Sequence, residues 1–173
     1  MVTGTIGPLQ IRPLERRDCK GGFSCGVPAL DAYLPNFAWQ HEQRGIARVY
    51  VLERMGGESG VLGFYTLSAR SVRKADIQEA VTHSLPTFDI PVFYIGSFAV
   101  SSSAKRQGYG RQLLGDALYR CVQGAEAVGA HGVYLDSLSD ESTSFYCSMG
   151  FVAIGSAKTP QPMYLPMTTL RMA

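Results

Sequence analysis

The chain has 173 residues, of which 46% are hydrophobic and 17% charged, with a formal net charge of +2 at pH 7. That length suits a single core that buries about two thirds of the unfolded surface without disulfide or metal staples, and the composition excludes a disordered chain. No stretch approaches the roughly 18 uninterrupted apolar residues of a membrane span. The opening MVTGTIGPLQ has neither the basic start nor the apolar run of a secretory signal. These features predict one domain over residues 1–173, flexible over 1–8, in the cytoplasm and without membrane attachment.

The four cysteines (19, 25, 121 and 147) lack C-x-x-C spacing, so free thiols are expected. His41, His83 and His131 match no metalloprotease pattern, and no metal is expected. Two stretches are locally basic. Residues 101–125 carry Lys105, Arg106, Arg111 and Arg120 against Asp116, and residues 10–20 carry Arg12, Arg16, Arg17 and Lys20 against Glu15 and Asp18. Either could hold phosphates or be an ordinary solvated face.

In chain order, residues 9–14 read as a short edge strand, with Pro13 keeping it off the sheet centre. Residues 28–44 have helical character interrupted by Pro35, which predicts two short helices over 28–34 and 36–44, stopped at Gly45. Residues 46–53 and 61–69 are strand-like and joined by a glycine-rich turn over 56–60. A short helix near 74–82 lies within an otherwise irregular stretch. Residues 92–100 (VFYIGSFAV) are almost wholly apolar, as suits a strand buried on both faces, with Gly96 marking a bulge or a close approach. Leu113, Leu114, Ala117, Leu118, Cys121, Val122 and Ala125 form one apolar stripe at helical spacing. Residues 131–138 form the next strand, so strand, crossover helix and strand imply a parallel pair. A helix over 141–149 capped by Gly150 follows, then strands over 151–155 and 163–170 as a closing antiparallel pair.

The chemical signal is Lys105-Arg106-Gln107-Gly108-Tyr109-Gly110, between the buried strand and the amphipathic helix. Glycines admit a ligand close to the backbone. The first N–H groups of a helix have no intrahelical acceptor, and with the helix dipole they form an anion site. A pyrophosphate is the natural guest. A dinucleotide fingerprint fails because position 113 is Leu113, and a P-loop fails because Gly-Lys-Ser/Thr is absent. G-x-G alone fits a plain tight turn equally well; its place between strand and helix is what favours the anion site.

Lys105–Gly110 resembles the coenzyme A pyrophosphate loop of the GNAT superfamily of N-acetyltransferases, written Q/R-x-x-G-x-G/A, with Lys105 where Gln or Arg is usual. The order of elements over roughly residues 9–171 is similar to the GNAT fold, which implies an α/β (α+β) architecture: a mixed, mostly antiparallel central sheet of six to seven strands with a splayed parallel pair and helices on both faces. Phe23-Ser24-Cys25-Gly26, Leu30-Asp31-Ala32-Tyr33-Leu34, Arg48 entering a strand, and Ser144-Phe145-Tyr146 with Gly150-Phe151 further resemble the GNAT toxins of type II toxin–antitoxin systems. Pro35 departs from the continuous helix common in them.

The resemblance implies acetyl-CoA as co-substrate. Phe98, Ala99 and Val100 would bind the pantetheine through backbone groups, as an added strand does. Lys105, Arg106, Gln107, Gly108, Tyr109, Gly110 and Arg111 would hold the diphosphate. An N–H near Val100 would stabilise the oxyanion, worth roughly 2.7–4 kcal/mol. Tyr146 would be the catalytic general acid, protonated at pH 7 with a phenol pKa of about 10; an aromatic packing role beside Phe145 and Phe151 is the alternative. No general base stands out. Asp136, Asp140 and Glu141 lie near the expected site, and short-loop acids are commonly solvated or helix caps. The α-amine of an aminoacyl ester is less basic than a lysine side chain, so a dedicated base is unnecessary for it. Cys25 and Cys147 have no histidine nearby in sequence, and buried, inert thiols are expected. Trp39, Phe64 and Tyr65 are assigned to the core, and Phe23 to the core or an acceptor pocket.

Three functions follow from these readings. The first is a translation-blocking toxin acetylating the α-amino group of aminoacyl-tRNA. It implies tRNA contacts by Arg12, Arg16, Arg44, Arg48, Arg70, Arg73 and Lys74, a ribbon-helix-helix antitoxin partner and a homodimer. The second is acetylation of a small-molecule or protein amine, which the modest net charge suits. The third is a coenzyme A sensor without catalysis, against which Tyr146 speaks.

Overall fold

The computed structural model describes residues 7–56, 60–77, 80–81, 83–156 and 159–173. Its elements in chain order are β1 (Leu9–Pro13), a 3-10 turn (Arg16–Lys20), α1 (Pro28–Asp31), a π-helical turn (Leu34–Ala38), α2 (Trp39–Gln43), β2 (Arg48–Arg54), β3 (Gly63–Val72) and α3 (Lys74–Ile77). These are followed by β4 (Ile90–Val100), a 3-10 turn (Ser102–Ala104), α4 (Tyr109–Ala127), β5 (Gly132–Ser137), α5 (Asp140–Ser148), β6 (Val152–Ala153), β7 (Gln161–Pro166) and α6 (Met167–Met172). The strands form one seven-stranded sheet in the order β1-β2-β3-β4-β5-β7-β6. β1–β2, β2–β3, β5–β7 and β6–β7 pair antiparallel. β4 and β5 are parallel, with Phe93 opposite Val133, Tyr94 opposite Tyr134 and Ile95 opposite Leu135. This is the mixed, mostly antiparallel sheet that the pattern predicted.

The chain divides into two compact units. One comprises Met1–Leu67 with Ser97–Asp116, the other Ser68–Gly96 with Ala117–Ala173. The first is organised on Leu34, Ala38, Val49, Val51, Phe64 and Ala99, with Phe23, Tyr33 and Trp39 packed against them. Tyr33 stacks on Phe64 with ring centres 5.8 Å apart, and Phe23 meets Phe64 edge-on at 5.2 Å. The aromatic residues assigned to the core therefore serve it. The second unit has its own core, built on Ile77, Ile90, Val92, Ile154 and Tyr164.

Local departures from expectation have physical causes. The 28–44 region forms two short α-helices as expected, α1 and α2, but Pro35 lies in a helical turn between them rather than at a break. A wider π-helical turn carries the chain past the proline, which lacks an N–H and crowds the preceding turn. The Ala32 carbonyl there accepts both the Asn36 N–H and its side-chain amide. Gly45, at φ +67°, ends α2 as expected. The last strand ends at Pro166 rather than residue 170, and Met167–Met172 are helical; proline is well tolerated directly before a helix's first turn. The helix expected near 74–82 is the single turn α3. Parts of that prediction (78–79 and 82), of the 56–60 turn (57–59) and of the flexible start (1–6) lie outside the described residues.

In β4, Ile90 and Val92 are buried before Gly96 at even positions, whereas Ile95 and Ala99 are buried at odd ones. Buried positions of both parities are what a strand covered on both faces shows, and the register with β5 is continuous over Phe93–Ile95.

Candidate active site

The loop that the sequence singles out, residues 105–110, lies inside the first unit. After β4, the Ser102–Ala104 turn seats Ala104, which is 2% exposed. The chain then takes two left-handed steps, at Arg106 (φ +60°) and Gly108 (φ +78°), before α4 begins at Tyr109. Gly110 lies inside the first helical turn. The left-handed residues are thus Arg106 and Gly108, where the sequence alone would have chosen the two glycines. Such turned-back main-chain steps point successive N–H groups to one side, a concavity suited to an anion.

The first intrahelical bond of α4 runs from the Gln112 N–H to the Gly108 carbonyl at 3.3 Å. The amides up to residue 111 precede that bond and belong to the helix end. The first turn of α4 contains no acidic residue, so the helix's own side chains there do not offset the positive end of its dipole. Tyr109 is buried and accepts a 2.5 Å hydrogen bond from Arg54 through its hydroxyl, which fixes the helix start. Arg106 and Arg111 are exposed beside the loop. Lys105 is also exposed, but its ammonium is engaged: Nζ donates to the Cys25 carbonyl at 3.0 Å.

The end of β4 is oriented by two hydrogen bonds. The Ser97 N–H donates to Thr66 Oγ1, and the Ser101 N–H donates to the Leu62 carbonyl, both toward β3. Peptide groups alternate edges along an extended strand, so those of Phe98 and Val100 point away from β3. Ala99 faces β3: its carbonyl lies 2.9 Å from where a side chain on Gly63 would begin, so Gly63 admits the close approach. Of the three residues named from the sequence, Phe98 and Val100 thus turn their peptide groups to the edge away from β3, and Ala99 turns its own toward β3.

Tyr146 belongs to the second unit. Ser139 caps α5 through a reciprocal pair with Ser142, and Gly150 at φ +97° follows its end. The Tyr146 ring is 6% exposed and packs against Phe145 and Phe151 at 5.3 and 5.8 Å. Burial pushes its phenol well above the ordinary range. It therefore stays protonated throughout the physiological range, as a proton donor requires. The aromatic packing holds the ring and leaves the hydroxyl protonated, so packing by itself does not decide against a donor role.

The acids near the expected site have other surroundings. Asp136 accepts the Tyr94 hydroxyl at 3.2 Å and lies 3.8 Å from Arg70, while Asp140 and Glu141 are exposed in the first turn of α5. Cys25 is buried, and burial raises its thiol pKa; Cys121 is pushed up to about 12 for the same reason. Cys147 is exposed, contrary to the expectation of a buried thiol. Among the described residues, no group of three or more metal-ligating side chains is assembled, and no helix is long and apolar enough to cross a membrane.

Several cations assigned to tRNA contact are already committed. Arg12, with a side chain only 13% exposed, forks onto Asp18 and Glu53 at 2.7–2.9 Å. It is a structural residue. Arg48 pairs with Glu42 at 2.7 Å and Arg73 with Asp76 at 3.0 Å. Arg70 lies over the Tyr94 and Tyr134 rings at 4.7 and 4.9 Å. Arg16 and Arg44 are exposed. The Arg73–Asp76 pair is local, three residues apart, whereas the partners of Arg12, Arg48 and Arg70 come from other elements and are not apparent in the sequence.

A sheet of this order with one parallel pair, followed by an amide-rich loop opening the crossover helix, defines an acyl-coenzyme A transferase architecture. Residues 45–153 match the family model described as an acetyltransferase (GNAT) domain. The chain belongs to the GNAT acetyltransferase family. It is 35% identical over 140 residues to the tRNA-acetylating toxin of Mycobacterium tuberculosis, covering 81% of this chain and 82% of the relative. It is 32% identical over 170 residues to the probable toxin TacT of Sinorhizobium fredii, covering 93% and 92%. Solved structures of AtaT are similar over 95% of this chain at 26% identity. They include AtaT complexed with acetyl-methionyl-tRNAfMet (98% of that chain, TM-score 0.80), AtaTR bound with AcCoA (96%, 0.79), and a mutant toxin bound to the C-terminus of the antitoxin AtaR (96%, 0.77).

Proposed function

We propose that this chain acts as one acetyltransferase domain over residues 1–173 that acetylates the α-amino group of aminoacyl-tRNA and so blocks translation. The observation that carries the acetyl donor is the run of helix-end amides after Arg106 and Gly108, beside two exposed arginines and with no acid in the first turn. The identity to the M. tuberculosis toxin and the AtaT complex with acetyl-methionyl-tRNAfMet support the acceptor. The AtaT–AtaR complex supports an antitoxin partner; a ribbon-helix-helix protein, a homodimeric toxin and a cytoplasmic setting complete the reading.

The residues present fit acetyl-CoA, which supplies the thioester. Main-chain amides at Gln107–Arg111 hold the diphosphate, with Arg106 and Arg111 adding charge and Lys105 remaining on the Cys25 carbonyl. The peptide groups of Phe98 and Val100 bind the pantetheine, next to Ala99, and the Val100 N–H polarises the carbonyl. As the amine nitrogen bonds to the acetyl carbon and the carbon–sulfur bond breaks, the Tyr146 hydroxyl donates its proton to sulfur and regains one from the nitrogen. A phenol near 10 is a weaker acid than a thiol near 8.5. The hydroxyl therefore acts mainly by hydrogen bonding to charge developing on sulfur, and finishes the reaction neutral.

The test is to incubate the protein with labelled acetyl-CoA and either aminoacylated or deacylated tRNA. Label on the aminoacylated tRNA alone, released by mild base as N-acetyl amino acid, is expected. Label on both tRNAs equally, or on the protein only, overturns the reading. A second reading, acetylation of a small or protein amine, is favoured by the small net charge and by the commitment of Arg12, Arg48 and Arg73 to internal acids. Steeply salt-dependent acceptor binding distinguishes the tRNA reading, because phosphate contacts release counterions.

A further inference from the structure

The segments Phe23–Gly26 and Leu30–Leu34 stand out in the sequence without a chemical role, and the first unit gives them one. Two consecutive peptide groups join them. The Ser24–Cys25 peptide donates its N–H to Asp31 Oδ1 at 2.6 Å, while its carbonyl accepts the Ser102 N–H at 2.9 Å. The next peptide, Cys25–Gly26, accepts Lys105 Nζ at 3.0 Å on its carbonyl. Gly26 at φ +91° permits the chain to reverse here. Asp31 on one side and Ser102 and Lys105 on the other are thus joined through the two peptide groups that flank Cys25.

The arrangement is polar in one sense. Asp31 sits at the N–H end of the Ser24–Cys25 peptide, and donors, one of them a cation, sit at both carbonyl ends. Hydrogen bonds chained in this way strengthen one another, and bonds to charged groups are the stronger kind. Cys25 is 4% exposed, while Ser24, Gly26, Ser102 and Lys105 are exposed, so the bridge runs along the surface over one buried residue. Residues 102–105 lead directly into Arg106, the strained left-handed step of the loop. A left-handed non-glycine residue persists only where its surroundings impose it, and the bridge anchors the chain on the N-terminal side of that residue.

We propose that Asp31 is a positioning residue for coenzyme binding, acting through the Ser24–Cys25–Gly26 peptides to hold Ser102 and Lys105, and with them the loop that receives the diphosphate. This rests on the reading of that loop as the acetyl-CoA site. Asp31 touches no substrate. The side chain of Lys105 serves the loop by its bond to Cys25 as well as by its charge.

The experiment is calorimetric titration of the intact protein with coenzyme A, alongside acetyl-transfer kinetics, for Asp31→Ala, Asp31→Asn, Lys105→Met and the Asp31→Ala/Lys105→Met pair. Asp31→Ala is expected to weaken coenzyme binding and raise its KM by about tenfold, the scale of one lost charged hydrogen bond, with kcat and the acceptor KM little changed. Asp31→Asn retains an acceptor oxygen and should recover most of the affinity. The double variant should bind no more weakly than the worse single variant, because both act through one bridge. Unchanged coenzyme affinity in Asp31→Ala, no recovery in Asp31→Asn, or fully multiplicative losses would overturn the proposal. Absence of binding by the unsubstituted protein would instead overturn the assignment of the loop itself.

Discussion

Residues 10–20 and 101–125 are both rich in basic side chains, yet the structure gives them opposite roles. In the first stretch the cation is consumed: Arg12 spans Asp18 and Glu53, and Gln10 adds a further bond to Glu53 at 2.7 Å. In the second, Arg106 and Arg111 stand exposed beside a helix end whose first turn holds no acid. Charge counted along the chain is equal evidence for both; what differs is whether the fold brings a carboxylate to the guanidinium. An arginine with a buried partner is part of the scaffold, and one left exposed beside a helix N-terminus is available to an anion.

The contrast is broken most severely by Arg12→Ala. It leaves Asp18, with a side chain 5% exposed, without its counterion, and Glu53, 14% exposed, with Arg17 alone at 3.5 Å. The expected loss is about 3 kcal/mol, or roughly 6–12 °C in Tm, whereas Arg111→Ala should leave Tm nearly unchanged and weaken coenzyme binding. Equal Tm values for the two variants would remove the distinction.

Tyr146→Phe comes next. Loss of the proton donor should lower kcat about 100-fold, with coenzyme affinity within about twofold because the loop amides are untouched. Because burial raises the phenol's pKa, the proton is retained as pH rises, and activity should show no alkaline decline from this group below about pH 10. A variant with full kcat would leave Tyr146 a packing residue only.

Glycine substitutions separate loop from helix more finely. Gly108 is at φ +78° with open space around it, so Gly108→Ala costs only conformational strain, about 1–2 kcal/mol, and should weaken coenzyme binding. Gly115 is helical and equally open. There alanine should stabilise by up to about 1 kcal/mol, read as a higher Tm. Opposite signs for the two alanines are required.

The smallest effect is in the acid limb. The Arg12 guanidinium holds the Glu53 carboxyl down at about 2. Its folded-state value lies below its unfolded value, so its contribution is present above about pH 4.3 and fades as pH falls toward 2. Tm measured from pH 5 to 2.5 should fall less steeply in Glu53→Gln than in the unsubstituted protein.

Much of this architecture was legible in the sequence because it is periodic. The buried run of β4, the apolar stripe of α4 and the strand that follows dictated the parallel pair, and the glycine turn was placed between them, at the start of α4. Gly150 and Gly45 ended their helices as read. The misreadings arose where tertiary contacts override local preference. Pro35 was expected to break a helix, but a π-helical turn absorbs it. Residues 167–170 carry strand-like composition and form a helix. Arg106 adopts a glycine-like conformation that composition gives no reason to expect, and the bridge from Asp31 to Lys105 joins residues 74 positions apart. The availability of Arg12, Arg48 and Arg70 was illegible for the same reason.

The central claim is that main-chain amides after Arg106 and Gly108 grip the diphosphate of the coenzyme. The direct measurement is a calorimetric comparison of coenzyme A with pantetheine, which lacks the diphosphate, on the unsubstituted protein and on Arg106→Ala/Arg111→Ala. Coenzyme A should bind at least about 100-fold more tightly than pantetheine, a difference on the order of two charged hydrogen bonds, and most of that preference should survive loss of the two arginine side chains. Equal affinity for the two ligands, or a preference that vanishes with the arginines, would contradict the account.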